Sequence, residues 1–404
     1  MLCRITLLYL VNIWTRMRSY LKSIGTAVPQ FKNVQQDIAH FMAEAAGITQ
    51  EEKSVMTTLY RASGIGNRHS VIPDFGRKNG AYTFFPNTPN LEPFPTVKDR
   101  MQLYEREALP LALKAIENCF EALENFQHKS ITHLITVSCS GMYAPGLDIE
   151  LVEKLSLNRN VQRTSINFMG CYAAFNGLKI ADAICKSNPE AKVLLVCVEL
   201  CTIHYQKSKN WDQVLSNALF SDGAAAVLID NVKPVSGKAL LLDAFHCDLA
   251  PEGKNDMAWH IGDFGFEMIL SSYVPNLIKS GITKLTADLL KNLELASNEI
   301  DFYAIHPGGK KILESIEAEL NIDKSKNRFA HQVLREYGNM SSPTVLFVLK
   351  EIMKELKYPD HEKNILSFAF GPGLTMESML LKVHCENNSQ NELSVKEDSV
   401  AAVS

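Results

Sequence analysis

No C-x-x-C pair occurs in this 404-residue chain, and its nine cysteines, at 3, 119, 139, 171, 185, 197, 201, 247 and 385, are too scattered for a disulfide scaffold. Cys197 and Cys201 stand four apart, but no His/Cys set with zinc spacing accompanies them, so no metal is expected. Neither sign of charge dominates: 41 Lys and Arg against 45 Asp and Glu leave a net −4, which gives no basis for nucleic-acid binding. Long apolar runs are missing as well. The stretch Ile5 to Val11, after Arg4, is too short to span a bilayer and lacks a small-x-small cleavage site, so no membrane partner is expected. Residues 1–18 therefore read as a mis-set start or leader outside the fold, with translation beginning at Met17. No tandem repeat is legible in the letters. What remains, 46% hydrophobic and 21% charged, is the composition of an ordinary globular protein in a reducing cytoplasm.

The most informative residue is Cys171, between Phe168-Met169-Gly170 and the small-residue run from Tyr172 to Gly177. Thr164 to Asn167 reads as the end of a buried strand, and Tyr172 to Ser187 has helical periodicity with Leu178, Ala181 and Ile184 on one face. A thiol at a strand-to-helix turn faces unpaired N–H groups that favour the nucleophilic thiolate. Taken alone, such a cysteine is as easily a small buried hydrophobe. Two later segments add to it. Tyr303 to Gly309 is an apolar strand ending in His306 before Pro-Gly-Gly, and Tyr337 to Pro343 is a loop carrying Asn339 that opens into an apolar helix over Thr344 to Leu356. Singly, the histidine could be a hydrogen-bonded structural residue and the asparagine a turn residue. Together, a nucleophile, an imidazole and an amide donor each border a regular element, where α/β proteins assemble chemistry.

Further strands are expected at Ile131 to Val137, Ala191 to Val198, Ala239 to Cys247 and Asn364 to Phe370. Helices are expected at Asn33 to Ala46, Val97 to Ala122, Leu147 to Lys154, Asp212 to Leu219, Glu267 to Lys279, Thr286 to Leu293 and Lys311 to Leu320. This alternation is an α/β pattern. The polar stretch at the C-terminus, 385–404, reads as a disordered tail.

At these residues the sequence resembles the thiolase superfamily and, within it, the chalcone synthase-like type III polyketide synthases. The resemblance runs from about Tyr20 to Val383. It is carried by Ile131-Thr132-His133-Leu134, Ser140-Gly141 with Pro145-Gly146, Ala218 to Ala225, His306-Pro307-Gly308-Gly309, Tyr337 to Ser342, and Phe370 to Thr375. It implies a thiolase-like α/β fold of two pseudo-duplicated βαβ-rich halves, 19–232 with the cysteine and 233–384 with the histidine and asparagine, forming a layered αβαβα core. It also implies that Cys171 takes the acyl group from an acyl-CoA starter, that His306 holds the sulfur as an ion pair, and that His306 and Asn339 stabilise the enolate formed when malonyl-CoA loses carbon dioxide. No cofactor beyond the CoA thioester substrates is implied.

By the same resemblance, Phe220 guards the junction of a CoA tunnel and a reaction cavity, with Met268 where a second Phe is usual. Cys139, His204 and Ser341 line the cavity, and Trp259 falls near a usual Gly. The cavity is thus expected to be reshaped for a starter other than a bulky aromatic one. Lys53, Arg61, Arg68 and Lys310 or Lys311 are the candidates for CoA phosphate contacts. A homodimer is implied, with Ala144 where plant enzymes put a Met that reaches the partner. Glu199 is a candidate for positioning water or Cys171, and Asp222 for bracing the halves. The competing readings are a single-condensation ketoacyl synthase III, which the Gly371-Pro372-Gly373 loop argues against, and a non-catalytic partner subunit, which has no physical reason to keep Cys171, His306 and Asn339 together.

Overall fold

The computed structural model describes residues 17–386, apart from 124, 125 and 236. The first half contributes strands β1 (Tyr20–Ala27), β2 (Phe31–Val34), β3 (Asn67–Ser70), β4 (His133–Ser138), β5 (Gln162–Asn167), β6 (Lys192–Leu200) and β7 (Asp222–Asp230). Its helices are α1 (Gln35–Ala45), α2 (Gln50–Ala62), α3 (Val97–Phe120), α4 (Leu147–Lys154), α5 (Ala173–Ser187) and α6 (Trp211–Leu219). The second half contributes β8 (Lys238–Leu249), β9 (Met257–Gly262), β10 (Gly265–Leu270), β11 (Ile300–Ile305), β12 (Asn364–Gly371) and β13 (Thr375–Cys385). Helices α7 (Val274–Asn292), α8 (Lys310–Glu319), α9 (Arg328–Tyr337) and α10 (Thr344–Glu355) complete it.

Nine strands form one mixed sheet in the order β11-β12-β13-β8-β1-β7-β6-β4-β5. The duplication invisible in the letters is plain in the pairing. β1 is antiparallel to β7, β7 antiparallel to β6, and β6 parallel to β4. In the same way β8 is antiparallel to β13, β13 antiparallel to β12, and β12 parallel to β11. The halves meet where Tyr20 and Leu21 pair with Leu241 and Leu240. Helices α5 and α10, which precede the equivalent strands β6 and β12, lie in the middle layer and touch strands of both halves, while α3 covers the first half and α7 the second. This is the layered αβαβα arrangement of a thiolase-like fold. The faces that the middle layer buries are apolar: Ala173, Ala174, Phe175, Leu178 and Ala181 on α5, and Val345 to Leu349 on α10. On the outside, α3 starts in a reciprocal cap, Thr96 accepting the Asp99 N–H while Asp99 accepts the Thr96 N–H.

Three expectations are corrected. Residues Glu267 to Leu270 belong to β10, the second arm of a hairpin, and the two helices expected over 267–279 and 286–293 are one, α7. β5 is an edge strand with nearly all of its side chains exposed, not a buried one. β13 continues to Cys385, where the tail was expected to begin; residues 1–16 and 387–404 lie outside the described residues.

Candidate active site

The duplication sets Cys171 and Asn339 at equivalent places. Each lies in the turn entering a middle-layer helix, Cys171 before α5 and Asn339 before α10, while His306 follows β11 as Cys139 and Ser140 follow β4. Both turns use left-handed backbone: Phe168 and Gly170 (φ 61° and 81°) before the cysteine, Gly338 and Ser341 (φ 70° and 59°) around the asparagine. Gly170 is required twice over. Its φ is positive, and an added Cβ would stand 2.2 Å from Pro372 Cδ. Gly371 cannot carry a side chain either, since a Cβ would meet the Tyr172 ring at 2.5 Å. The Gly371-Pro372-Gly373 loop therefore packs directly on the turn that carries Cys171.

Asn339 is clamped by its backbone. Its N–H donates to Leu219 O (3.0 Å), and its carbonyl accepts the Ser221 N–H (2.9 Å), on either side of Phe220. Its Oδ1 accepts the Ser341 N–H (2.8 Å), which turns Nδ2 toward Gly308 O (3.3 Å) and Cys171. The sulfur of Cys171 lies 3.9 Å from both amide atoms, and the Ser341 hydroxyl also faces it. His306 is fully buried and neither ring nitrogen has a hydrogen-bond partner. Orphaned polar atoms of this kind are uncommon in folded proteins. Burial pushes the Cys171 thiol up to about 11 and the His306 imidazole down to about 3.

Behind this group lies Glu199, buried and, among the described residues, without a cationic partner. Its Oε2 accepts from the Cys139 N–H (2.9 Å), the Ser140 N–H (3.0 Å) and the Ser140 hydroxyl (2.7 Å), and its Oε1 from the Ser342 hydroxyl (2.6 Å). It ties the end of β4 to the Asn339 loop, and burial pushes its carboxyl up. Asp222 opens β7 and accepts from Thr202 and from the Val71 N–H, with burial raising it to about 6.

Two cavities flank Leu219 and Phe220. One, of about 60 Å³, is lined by Phe220, His204, Trp259, Met268 and Phe266, with Phe75 and Met42 at other points of its wall. The other, of about 410 Å³, is lined by Leu219, Gly308, Gly309, Lys310, Lys311 and Trp211. The second reaches Gly308, beside the His306 ring, and carries Lys310 and Lys311.

Several expected site residues stand elsewhere. Arg68 cannot serve as a phosphate contact: it is 3% exposed, and its guanidinium donates to Gln35 Oε1 and to the carbonyls of Asn217 and Phe220. Cys139 is not a cavity wall. Its sulfur accepts the Gly170 N–H at 2.9 Å, underneath the nucleophile turn. Ser341 faces Cys171 rather than either cavity. Lys53 and Arg61 sit on α2 outside the linings of both cavities, whereas Lys311 is on one. The imidazole makes no hydrogen bond to the thiol. Phe266 is a wall residue missed from the sequence. The turn Gly262-Asp263-Phe264-Gly265 between two alternating apolar runs was the hairpin sign that would have found it. Among the described residues, no group of three or more His, Cys, Asp or Glu side chains is gathered to hold a metal ion, and no helix is long and apolar enough to cross a membrane.

Comparison with known proteins gives the same answer along almost the whole chain. Family models of the chalcone and stilbene synthases match twice, the N-terminal domain over residues 14–232 and the C-terminal domain over residues 242–384. "Alpha-pyrone synthesis polyketide synthase-like Pks18" of Mycobacterium tuberculosis is 29% identical over 369 residues, covering 90% of this chain and 91% of that protein. "Probable polyketide synthase 1" of Dictyostelium discoideum is 30% identical over 375 residues, 90% of this chain, which spans 11% of the length of that protein. Among solved structures, PKS-I of the brown alga Ectocarpus siliculosus superposes with a TM-score of 0.84 at 29% identity, covering 91% of this chain and 98% of that one. The C-terminal type III polyketide synthase domain of Steely1, a type I/III hybrid from Dictyostelium, gives 0.83 at 28%, covering 90% and 99%. The chain belongs to the chalcone and stilbene synthase family and is an iterative type III polyketide synthase, an acyltransferase of thiolase-like fold.

Proposed function

We propose that this synthase loads an acyl group from an acyl-CoA starter onto Cys171, extends it with two or more malonyl-CoA units through His306 and Asn339, and releases a resorcinol, phloroglucinol or pyrone. The observation that carries the assignment is the buried His306 ring with both nitrogens unpaired, next to a chamber that a thioester can enter. In loading, the Cys171 sulfur bonds to the acyl carbon, the carbon–sulfur bond to CoA breaks, and the thiol proton passes by way of His306 to the departing CoA sulfur. In extension, malonyl-CoA loses carbon dioxide. The electron pair of the broken carbon–carbon bond moves onto the thioester oxygen, where a ring N–H of His306 and the Asn339 Nδ2–H donate to it. The enolate carbon then attacks the acyl-Cys171 thioester, and the sulfur is released for the next round. These steps call on side chains alone, so no resident cofactor is needed.

The starter we propose is fatty or otherwise unlike a bulky aromatic acid, because Trp259 and His204 occupy space in the cavity. A homodimer is favoured by β5, whose exposed edge offers unpaired N–H and C=O groups to a second copy. A reducing cytoplasm fits the eight described cysteines, all free.

The test is mass spectrometry of products from purified protein given malonyl-CoA and a panel of acyl-CoAs, beside a Cys171→Ala control. Products with two or more malonyl-derived units, absent in the control, are expected. A single condensation from every starter would sink the reading, and efficient use of coumaroyl-CoA would sink the choice of starter.

A further inference from the structure

Trp211 opens α6 with an indole that is 43% exposed and, among the described residues, neither meets another aromatic ring nor forms a hydrogen bond. The helix does not need it there. Asn210 already caps α6, its side chain accepting the Asp212 N–H at 2.9 Å. The ring stands instead on the wall of the chamber that reaches Gly308, beside His306. That wall is chemically divided. From α2 it takes Leu59, Ala62 and Ser63, without a charge among them, and its positive charge comes from Lys310 and Lys311 at the start of α8. Lys310 lies 3.7 Å from Glu314, whereas Lys311 has no carboxylate partner among the described residues.

We propose that Trp211 recognises the adenine of the CoA thioesters, stacking the base on its indole while Lys310 and Lys311 hold the phosphates, so that α6 and α8, and not cations of α2, grip the nucleotide. A CoA thioester presents an uncharged arm, a cluster of phosphates and a flat base, and the chamber has a match for each. Leu215, Leu219 and Leu270 give the arm an apolar wall. The phosphates meet two lysines at the entrance of a ten-residue helix, whose first N–H groups also favour anions. The base meets an unoccupied aromatic face, and adenine stacks on such a face through its own π-system. The other end of the path is marked by His306, buried with both ring nitrogens unpaired. Asp212, the one carboxylate on this wall among the described residues, follows Trp211. It suits the donors of a base or a ribose and repels phosphate, which keeps the phosphates at α8.

The inference rests on the CoA-dependent synthase reading and deepens it by assigning the nucleotide end of the substrate. Two measurements test it. In the first, kcat/KM for decarboxylation is compared between malonyl-CoA and malonyl pantetheine, which keeps the arm and lacks the nucleotide. The ratio of the two values is expected to fall about tenfold in Trp211→Ala, within what one base stacked on one ring carries. It should stay near wild type in Trp211→Phe, which keeps a ring, and fall in Lys311→Gln, the more so at low salt. An unchanged ratio in Trp211→Ala, or an equal fall in Trp211→Phe, overturns the proposal. In the second, indole fluorescence is followed while adenosine 3′,5′-bisphosphate, the nucleotide end alone, is added. The chain has three tryptophans, and the quench expected in wild type and in Trp259→Phe should be lost in Trp211→Phe. No quench in wild type, or one that survives in Trp211→Phe, overturns the proposal. A wild type that decarboxylates neither thioester yet shows the Trp211 quench would overturn the synthase reading and leave the nucleotide site standing.

Discussion

Removing the His306 ring should disarm the nucleophile by a predictable amount. The Cys171 thiol is held up to about 11 by burial and by the Glu199 charge, with only the Ser341 hydroxyl, the Asn339 amide and its own N–H drawing it down. That value contains nothing from an imidazolium. It therefore describes the thiol in a His306→Ala protein, where about one molecule in ten thousand would be thiolate at pH 7. The histidine is likewise pushed down to about 3 when it must carry its charge alone. Each charge is costly by itself, and only together, after the proton has passed from sulfur to ring, do they compensate. The assay is the rate of iodoacetamide alkylation of Cys171 against pH. His306→Ala should react slowly at pH 7 and rise tenfold per pH unit through pH 9 to 10. Wild type should reach a plateau at lower pH and exceed the variant at pH 7 by up to about a thousandfold. A variant that plateaus below about pH 8 would refute the reasoning, because the helix entrance and the Asn339 amide would then suffice to hold the thiolate.

Asn339→Ala should lower the rate of malonyl-CoA decarboxylation by about 10² to 10³, the effect of losing one preorganised donor, and a loss under tenfold would remove the amide from the enolate site. Gly170→Ala should cost roughly 3 kcal/mol in a denaturant melt, since it adds a clash with Pro372 to a left-handed backbone, whereas Gly47→Ala, also left-handed (φ 57°) but in open space, should cost only about 1. Equal losses would disprove the contact with the Gly-Pro-Gly loop. Arg68→Met should destabilise by about 2 to 4 kcal/mol, because it strands Gln35 and two carbonyls. The KM for malonyl-CoA should stay within about twofold, as expected of a residue that makes no phosphate contact; a tenfold rise would restore its CoA role.

Elements whose apolar residues follow a single period were legible: α4 spans Leu147–Lys154 as read, and α5 and α10 begin within one residue of their expected starts. The three residues that converge were legible because each sits next to glycine or proline at the edge of such an element. Charged or polar letters hid the rest. Thr375–Cys385 contains Glu377 and Lys382, which break its apolar pattern, although Glu377 is buried against Lys179. Arg68 looked like a surface cation because its partners, two backbone carbonyls and Gln35, leave no trace at that point of the sequence. The edge position of β5 depends on strand order, which no local pattern encodes. Nor does the duplication show in the letters, since pairing direction, not side-chain identity, is what the halves share.

Because the first half supplies the sulfur and the second supplies the imidazole and the amide, neither polypeptide half contains a reaction centre of its own. The halves are joined by the pairing of Tyr20 and Leu21 with β8, by the helices packed between them, and by the bonds of Asn339 to Leu219 and Ser221. A relative slip of about 1 Å would separate donor from nucleophile while the strand ladders within each half kept their hydrogen bonds. Turnover in such a molecule is a gauge of how the halves are docked, and under rising denaturant it should vanish before ellipticity does.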